Sequence, residues 1–243
     1  FAAFAILFYR SIHYRKYYVG YRRGQYNTKD ILSLNKMGWM VGLQMGLETA
    51  LFSISGIMIG WLGSIALAAH QIMIAISTLG FMIYYGVGAA VSVRVSNFYG
   101  RGDITNVKRS TMAGFHIMLC LVLIASTIFF FAQDVIGILF TTSPEVISLV
   151  SSLIIILMIY QFGDALQIIY ANSLRGIGDV ISMAIISFIG YFLLAMPVCY
   201  ICGFILNLGI TGIWIGYPVG LTLTGIMLCG RYYWKLKNGR LFR

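Results

Sequence analysis

The segment STMAGFHIMLCLVLIASTIFFFAQ, residues 110–133, contains no Asp, Glu, Lys or Arg. At 1.5 Å per residue, a helix of about 20 apolar residues crosses the roughly 30 Å hydrocarbon core of a bilayer. We therefore predict that this segment spans a membrane. Five further apolar segments of similar length predict an all-α, polytopic membrane protein with a six-transmembrane-helix bundle; they occupy residues 37–62, 65–93, 146–170, 180–204 and 210–232.

The composition excludes a water-soluble domain. Hydrophobic residues make up 60% of the chain and charged residues 10%, whereas soluble domains carry about 25% charged residues. All four cysteines lie inside apolar segments, and no second CxxC accompanies the one formed by Cys199 and Cys202. We interpret the cysteines as packing residues rather than as a disulfide framework or a metal site.

Positive charge is confined to alternate connections between the predicted helices. Short connections rich in Lys and Arg mark the cytoplasmic side of a membrane, so both chain ends are predicted to be cytoplasmic in a multi-pass protein of the cell inner membrane. The net charge of +10 is then an orientation signal, and we expect no nucleic-acid partner. The 17 Lys and Arg residues lie at 10–36, 94–109, 175 and 231–243, and none lies at 63–64, 133–145 or 203–209.

The chain divides into four predicted regions. Residues 1–8 are apolar but too short to span, so we interpret them as the end of a preceding transmembrane helix. Residues 9–35 are predicted to form a basic cytoplasmic loop whose Tyr, Lys and Arg side chains contact membrane lipids. Residues 36–234 form the six-helix lobe, and residues 235–243 form a basic cytoplasmic tail. Because the chain opens on an apolar segment without Met, we expect it to be a fragment of a longer protein.

Two acidic residues, Glu48 and Asp164, lie inside predicted spans. An ionised side chain at the centre of a membrane helix costs at least ~2.5 kcal/mol, which indicates a functional use. Glu48 lies twelve residues after Lys36, and Asp164 lies eleven before Arg175. Each is therefore roughly 16–18 Å from the cytoplasmic boundary, near the bilayer centre. Two carboxylates at equal depth can share a proton, or bind Na⁺ as metal ligands if the protein is sodium-coupled.

Polar side chains accompany both acids at helical spacing. Gln44 lies four residues before Glu48, and Tyr160 lies four residues before Asp164. Gln167 follows Asp164 by three residues, so each neighbour shares a helix face with its carboxylate. Their oxygens suit a Na⁺ site or a proton relay. The alternative is that these groups only satisfy one another's hydrogen bonds across helices.

The sequence carries no recognisable enzyme motif. It lacks a nucleophile elbow, a Gly-rich phosphate loop and HExxH, and its three histidines are too scattered for a metal cluster. We therefore expect a protein that is not an enzyme and that needs no cofactor other than a coupling ion. His70 alone merits a functional reading, against the simpler one of a helix-packing residue.

Four short stretches resemble the multidrug and toxic compound extrusion (MATE) family. They are LQMGLETALFS at 43–53, AAHQI at 68–72, DALQ at 164–167 and LRGIGD at 174–179. The resemblance implies a twelve-helix, two-lobe transporter, of which this chain would be the C-terminal six-helix half. It also implies that the positions of Glu48, Asp164 and Tyr160 serve cation coupling and drug extrusion. The missing N-terminal lobe of the same protein would be the chain's partner.

Three functional hypotheses follow. The leading one is secondary active multidrug efflux, in which Na⁺ or H⁺ is exchanged for amphipathic, often cationic small organic molecules. A lipid-linked oligosaccharide flippase of similar architecture is the alternative, although its cleft would need cations and the Lys and Arg residues here lie at or near cytoplasmic boundaries. A non-transporting membrane scaffold subunit is the third, and it leaves the two buried acids unexplained.

Overall fold

A computed structural model shows a bundle of apolar helices. It describes Ile6, Arg10 and residues 27–238, apart from the side chain of Asp134. Within residues 27–238, six helices are long and apolar enough to cross a membrane, which confirms the predicted fold class. They are α1 (Thr28–Gly60), α2 (Ser64–Gly100), α3 (Ile104–Ile136), α4 (Pro144–Gly176), α5 (Val180–Ile205) and α6 (Gly209–Lys237).

Helix α1 begins earlier than the first predicted span. It starts at Thr28, inside the segment predicted as a cytoplasmic loop, because the Asn27 side chain accepts a hydrogen bond from the Lys29 backbone N–H and no proline interrupts the helix. Asp30 in its first turn also favours the positive end of the helix dipole. The predicted region 1–8, most of the predicted loop and residues 239–243 of the tail lie outside the described residues.

Helix α4 is the centre of the bundle. It packs against α2, α3 and α6, whereas no helix packs as closely on α1. Its first half joins an apolar cluster around Trp214 and Tyr217, and its second half joins another around Tyr170 and Tyr232. Near the place on α4 where these two clusters meet, the helix carries three buried polar side chains: Gln161, Asp164 and Gln167.

Helix α5 departs from regular α-helical geometry on both sides of Pro197. π-helical segments occupy Ile189–Ala195 and Ile201–Ile205, and they flank the short α-helical segment Met196–Tyr200. A proline inside a helix removes one backbone donor and clashes with the carbonyl one turn earlier. The wider turns of a π segment accommodate such a residue, and they often occur at functional positions.

Glycines of α6 allow its backbone to lie directly against α5. A Cβ atom at Gly212 would lie 2.3 Å from the carbonyl oxygen of Cys202. A Cβ atom at Gly216 would lie 2.2 Å from Cys199 Sγ. The two cysteines are free thiols that pack in this contact, and small residues of this kind are the usual means by which membrane helices approach closely.

Two ion pairs connect the turn between α4 and α5 to the end of α6. Arg231 Nε donates to Asp179 Oδ2 at 2.8 Å, and Lys235 Nζ lies 3.5 Å from the same oxygen. The Arg231 guanidinium also stacks over Trp234, 4.7 Å from the ring centre. Burial by itself would raise the pKa of Asp179, but the hydrogen bonds from Arg231 and Ser182 and the charge of Lys235 hold this pKa below its ordinary value.

Gly212→Ala should destabilise the protein by about 1–3 kcal/mol, since the new methyl group meets backbone atoms that cannot move aside. Gly230→Ala is the matched control on the same helix, because a Cβ at Gly230 meets nothing within 4 Å. Thermal unfolding in detergent measures both variants. Equal melting temperatures for the two would contradict the close α5–α6 contact.

Asp179→Asn should lower the free energy of unfolding by about 1–2 kcal/mol at neutral pH. The pKa of Asp179 is depressed in the folded state. The stabilisation by its ionised carboxylate is therefore complete above the unfolded-state pKa of about 3.9, and it disappears as the pH falls through the folded-state pKa. The difference in free energy of unfolding between wild type and variant should therefore become smaller as the pH is lowered from about 6 to about 3. A gap of constant size would mean that the ion pair contributes no pH-dependent stability.

Candidate functional site

The carboxylate of Glu48 is the centre of a polar cluster drawn from three helices. Its Oε2 atom accepts a hydrogen bond from Gln44 Nε2 of α1 at 3.1 Å. Gln167 Nε2 of α4 and the Tyr191 hydroxyl of α5 each lie 3.5 Å from the same oxygen. Gln167 Nε2 also donates to the Tyr191 hydroxyl at 2.5 Å. Helix α1 is thus linked to α4 and α5 through one acidic side chain.

Asp164 lies in the same part of the bundle, on the face of α4 that carries Gln167. It is 1% exposed and close enough to Glu48 for the two acids to interact electrostatically. Its Oδ1 atom has no hydrogen-bond partner within the described part of the chain. Burying a carboxylate oxygen without a hydrogen-bond partner costs free energy, and a proton or a cation bound at this atom would offset that cost.

Tyr160 is buried one turn before Asp164, and its ring packs against two other aromatic side chains. The ring centres of Phe52 and Tyr217 both lie 6.4 Å from that of Tyr160. The structure therefore brings all five predicted site residues to one region: Glu48, Asp164, Tyr160, Gln44 and Gln167. Their roles in ion or substrate binding stay a prediction.

A cavity of about 720 Å³ opens between α1 and α2 beside this cluster. Its wall is mostly apolar, with Phe52 of α1 and Phe81 of α2 as large members, and Tyr160 closes it from α4. Glu48 is the acidic residue on the wall. An apolar cavity of this size with a few polar groups suits a small organic molecule.

Sequence reasoning missed Tyr191 and did not predict the direction of the Arg175 side chain. Tyr191 is a lone hydroxyl in an apolar run, and only the packing of α5 on α4 shows its role. Arg175 was predicted to lie at or near the cytoplasmic boundary, and its guanidinium donates to Gln44 Oε1, Tyr85 Oη and Asn172 Oδ1, each at 3.4 Å. The spacing of Arg175 from the end of α4 gave no sign of this inward direction.

A second pair that was missed from the sequence links α2 to α4: the Tyr84 hydroxyl donates to Gln161 Oε1.

Within the described residues, no group of three or more His, Cys, Asp and Glu side chains is placed to hold a metal ion. The candidate donor set for a cation therefore consists of the Glu48 and Asp164 carboxylates with neighbouring amide and hydroxyl oxygens.

The chain is similar in sequence to a known protein family and to known multidrug resistance proteins. The family model MatE matches residues 41–201. Multidrug resistance protein NorM of Photobacterium profundum is 36% identical over 210 residues, which cover 85% of this chain and 46% of that protein. Multidrug resistance protein MdtK of Photorhabdus laumondii is 32% identical over 209 residues, covering 84% of this chain and 46% of that protein. The chain thus spans about half the length of the curated relatives it matches.

Solved structures show the same fold. The crystal structure of the eukaryotic MATE transporter AtDTX14 superimposes with a TM-score of 0.83 at 21% sequence identity, over 98% of this chain and 55% of that one. An outward-facing MATE family transporter of the MOP superfamily superimposes with a TM-score of 0.77 at 17% identity, over 86% of this chain and 46% of that one.

Tyr191→Phe should destabilise the protein by about 1–3 kcal/mol, because it removes the hydroxyl that accepts from Gln167 while the ring stays. Tyr200→Phe is the matched control on the same helix, since Tyr200 is 50% exposed. Thermal unfolding in detergent again gives the comparison. If the two variants have the same melting temperature, the Tyr191 hydroxyl does not stabilise the cluster.

Proposed function

Because this chain belongs to the multidrug and toxic compound extrusion (MATE) family, we propose that it forms the C-terminal lobe of a secondary active multidrug transporter. The transporter exports amphipathic, cationic organic molecules in exchange for Na⁺ or H⁺. The observation that carries the proposal is the position of Glu48, which belongs both to the polar cluster with Gln167 and Tyr191 and to the wall of the cavity.

Exchange requires that the coupling cation and the substrate favour different states of the protein. A proton or Na⁺ on Glu48 and Asp164 would neutralise the charge that attracts a cationic substrate to the cavity. Conversely, a substrate cation at Glu48 would leave the coupling cation only the unpartnered oxygen of Asp164. Competition for these carboxylates supports an antiport mechanism in which one cation displaces the other.

A second lobe completes the proposed transporter. The curated relatives are about twice the length of their match to this chain, and the cavity between α1 and α2 has walls from one lobe only. We infer that the N-terminal lobe of the same protein supplies the opposite wall. The alternation of basic connections further supports an inner-membrane protein with both ends of this chain in the cytoplasm.

One observation favours the alternative of a flippase for lipid-linked oligosaccharides. Arg175, whose boundary position counted against that function, points its guanidinium toward Gln44 and so contributes positive charge beside the cluster. Pyrophosphate carries several negative charges, however, and a single Arg that shares its surroundings with Glu48 leaves little net positive charge to bind it. Efflux of cations therefore remains the proposal.

Glu48→Gln and Asp164→Asn in the full-length protein should each abolish ion-dependent drug resistance at normal expression, because the neutral amides bind neither a proton nor Na⁺ as a carboxylate does. The matched control is Glu145→Gln, an exposed acid in the first turn of α4, which should keep resistance. Minimum inhibitory concentrations and drug accumulation measure the effect.

Accumulation with and without a sodium gradient, at a fixed proton gradient, identifies the coupling ion. A loss of export when the sodium gradient collapses indicates Na⁺, and continued export indicates H⁺. Unchanged resistance in both acid variants would remove the antiport mechanism.

A further inference from the structure

His70 of α2 lies on the cavity wall about two turns from the start of its helix. The residue is 2% exposed, and its ring packs edge-on against Trp214, with 5.7 Å between the ring centres. Its Nδ1 atom has no hydrogen-bond partner among residues 27–238. The imidazole thus packs on the cavity wall, and its buried Nδ1 atom is unpaired.

A second histidine of the chain shows what a satisfied imidazole does in this bundle. His116 on α3 places Nδ1 at 2.7 Å from the backbone carbonyl of Met112, one turn earlier. His116 is exposed, whereas His70 is buried and makes no such bond at Nδ1. A residue that served packing alone would gain by the same local bond, because an unpaired buried polar group costs free energy.

The chain leaves room in front of the His70 ring. On the facing helix, Gly56 also lies on the cavity wall, and a Cβ atom built there would lie 3.4 Å from His70 Nε2. A side chain at position 56 would therefore contact this nitrogen directly. Glycine therefore keeps the imidazole open to an occupant of the cavity.

The imidazole and the Glu48 carboxylate lie at two different levels of the cavity wall. Gly56, which faces His70, follows Glu48 by eight residues on α1, a distance of about 12 Å along the helix axis. The wall between them carries the large apolar side chains of Phe52 and Ile74 together with the small polar residues Thr49 and Ser53. The cavity thus offers a negative charge at one level and a hydrogen-bonding imidazole at another, with large apolar side chains between them.

We propose that His70 forms a second polar subsite, which hydrogen-bonds a hydroxyl, carbonyl or amide group of a substrate whose positive charge lies at Glu48. The preferred substrates are elongated cationic amphiphiles with such a group about 12 Å from the charge. A neutral imidazole both donates and accepts, so the subsite takes several chemical groups. This inference rests on the proposed function, and it adds a determinant of substrate preference.

Two probes test the subsite: an alkyltrimethylammonium ion whose chain covers about 12 Å, and the same ion with a terminal hydroxyl. Dissociation constants are measured on the purified full-length protein in lipid nanodiscs. The readout is the ratio of the two constants, because changes common to both probes cancel. His70→Phe and Gly56→Ala should each shift this ratio against the hydroxyl probe by about threefold to tenfold, the effect of one neutral hydrogen bond.

Two conservative variants serve as controls for folding and packing. His70→Gln keeps a hydrogen-bonding side chain and should keep the wild-type ratio. Gly60→Ala adds a methyl group one turn beyond Gly56 on the same helix, where nothing lies within 4 Å, and should also keep the ratio.

The outcomes separate the two proposals. If both probes bind the wild type and the ratio is the same in His70→Phe, Gly56→Ala and wild type, the subsite is refuted while the proposed function stands. If neither probe binds the wild type, the recognition of cations at Glu48 fails, and the subsite fails with it. A shift in His70→Phe and Gly56→Ala that is absent from both controls supports the subsite.

Discussion

An acidic side chain inside an apolar helix bundle must be hydrogen-bonded, neutralised or paired, and this requirement at Glu48 shapes the rest of the site. The carboxylate is satisfied by Gln44 of its own helix, Gln167 of α4 and Tyr191 of α5. Since no helix packs as closely on α1 as α6 packs on α4, these polar contacts are an important link between α1 and the centre of the bundle. The cavity lies where α1 and α2 leave space beside that link.

The location of the cluster follows from how α4 divides the core. One apolar cluster ends at Tyr160 and the other begins at Ala165 along this helix, so the polar side chains of α4 occupy the junction between them. Charge placed at such a junction is shielded from lipid on both sides. Glu48, which contacts the α4 side chain of Gln167, also lies on the cavity wall.

Departures from ideal helix geometry support the same site. The first π segment of α5 contains Tyr191, whose hydroxyl contacts Gln167, and the proline that accompanies the π segments lies two turns further along. Close contact between α5 and α6 at Gly212 and Gly216 holds this irregular helix in place. The glycines therefore support this irregular helix, because small residues let a neighbouring helix pack directly on its backbone.

Local composition alone was sufficient to predict the number of spans and the all-α class, because hydropathy depends on residues near in sequence. It also identified Glu48 and Asp164 as acidic residues inside spans, and their roles stay a prediction. Helical spacing also predicted that Gln44 accompanies Glu48. Only the tertiary structure decided that Gln167 and Tyr191 reach Glu48 across 119 and 143 positions, that Arg175 turns inward, and that His70 faces Gly56. Periodicity defines which face of a helix is polar, but the neighbour of that face is chosen by the packing of the whole bundle.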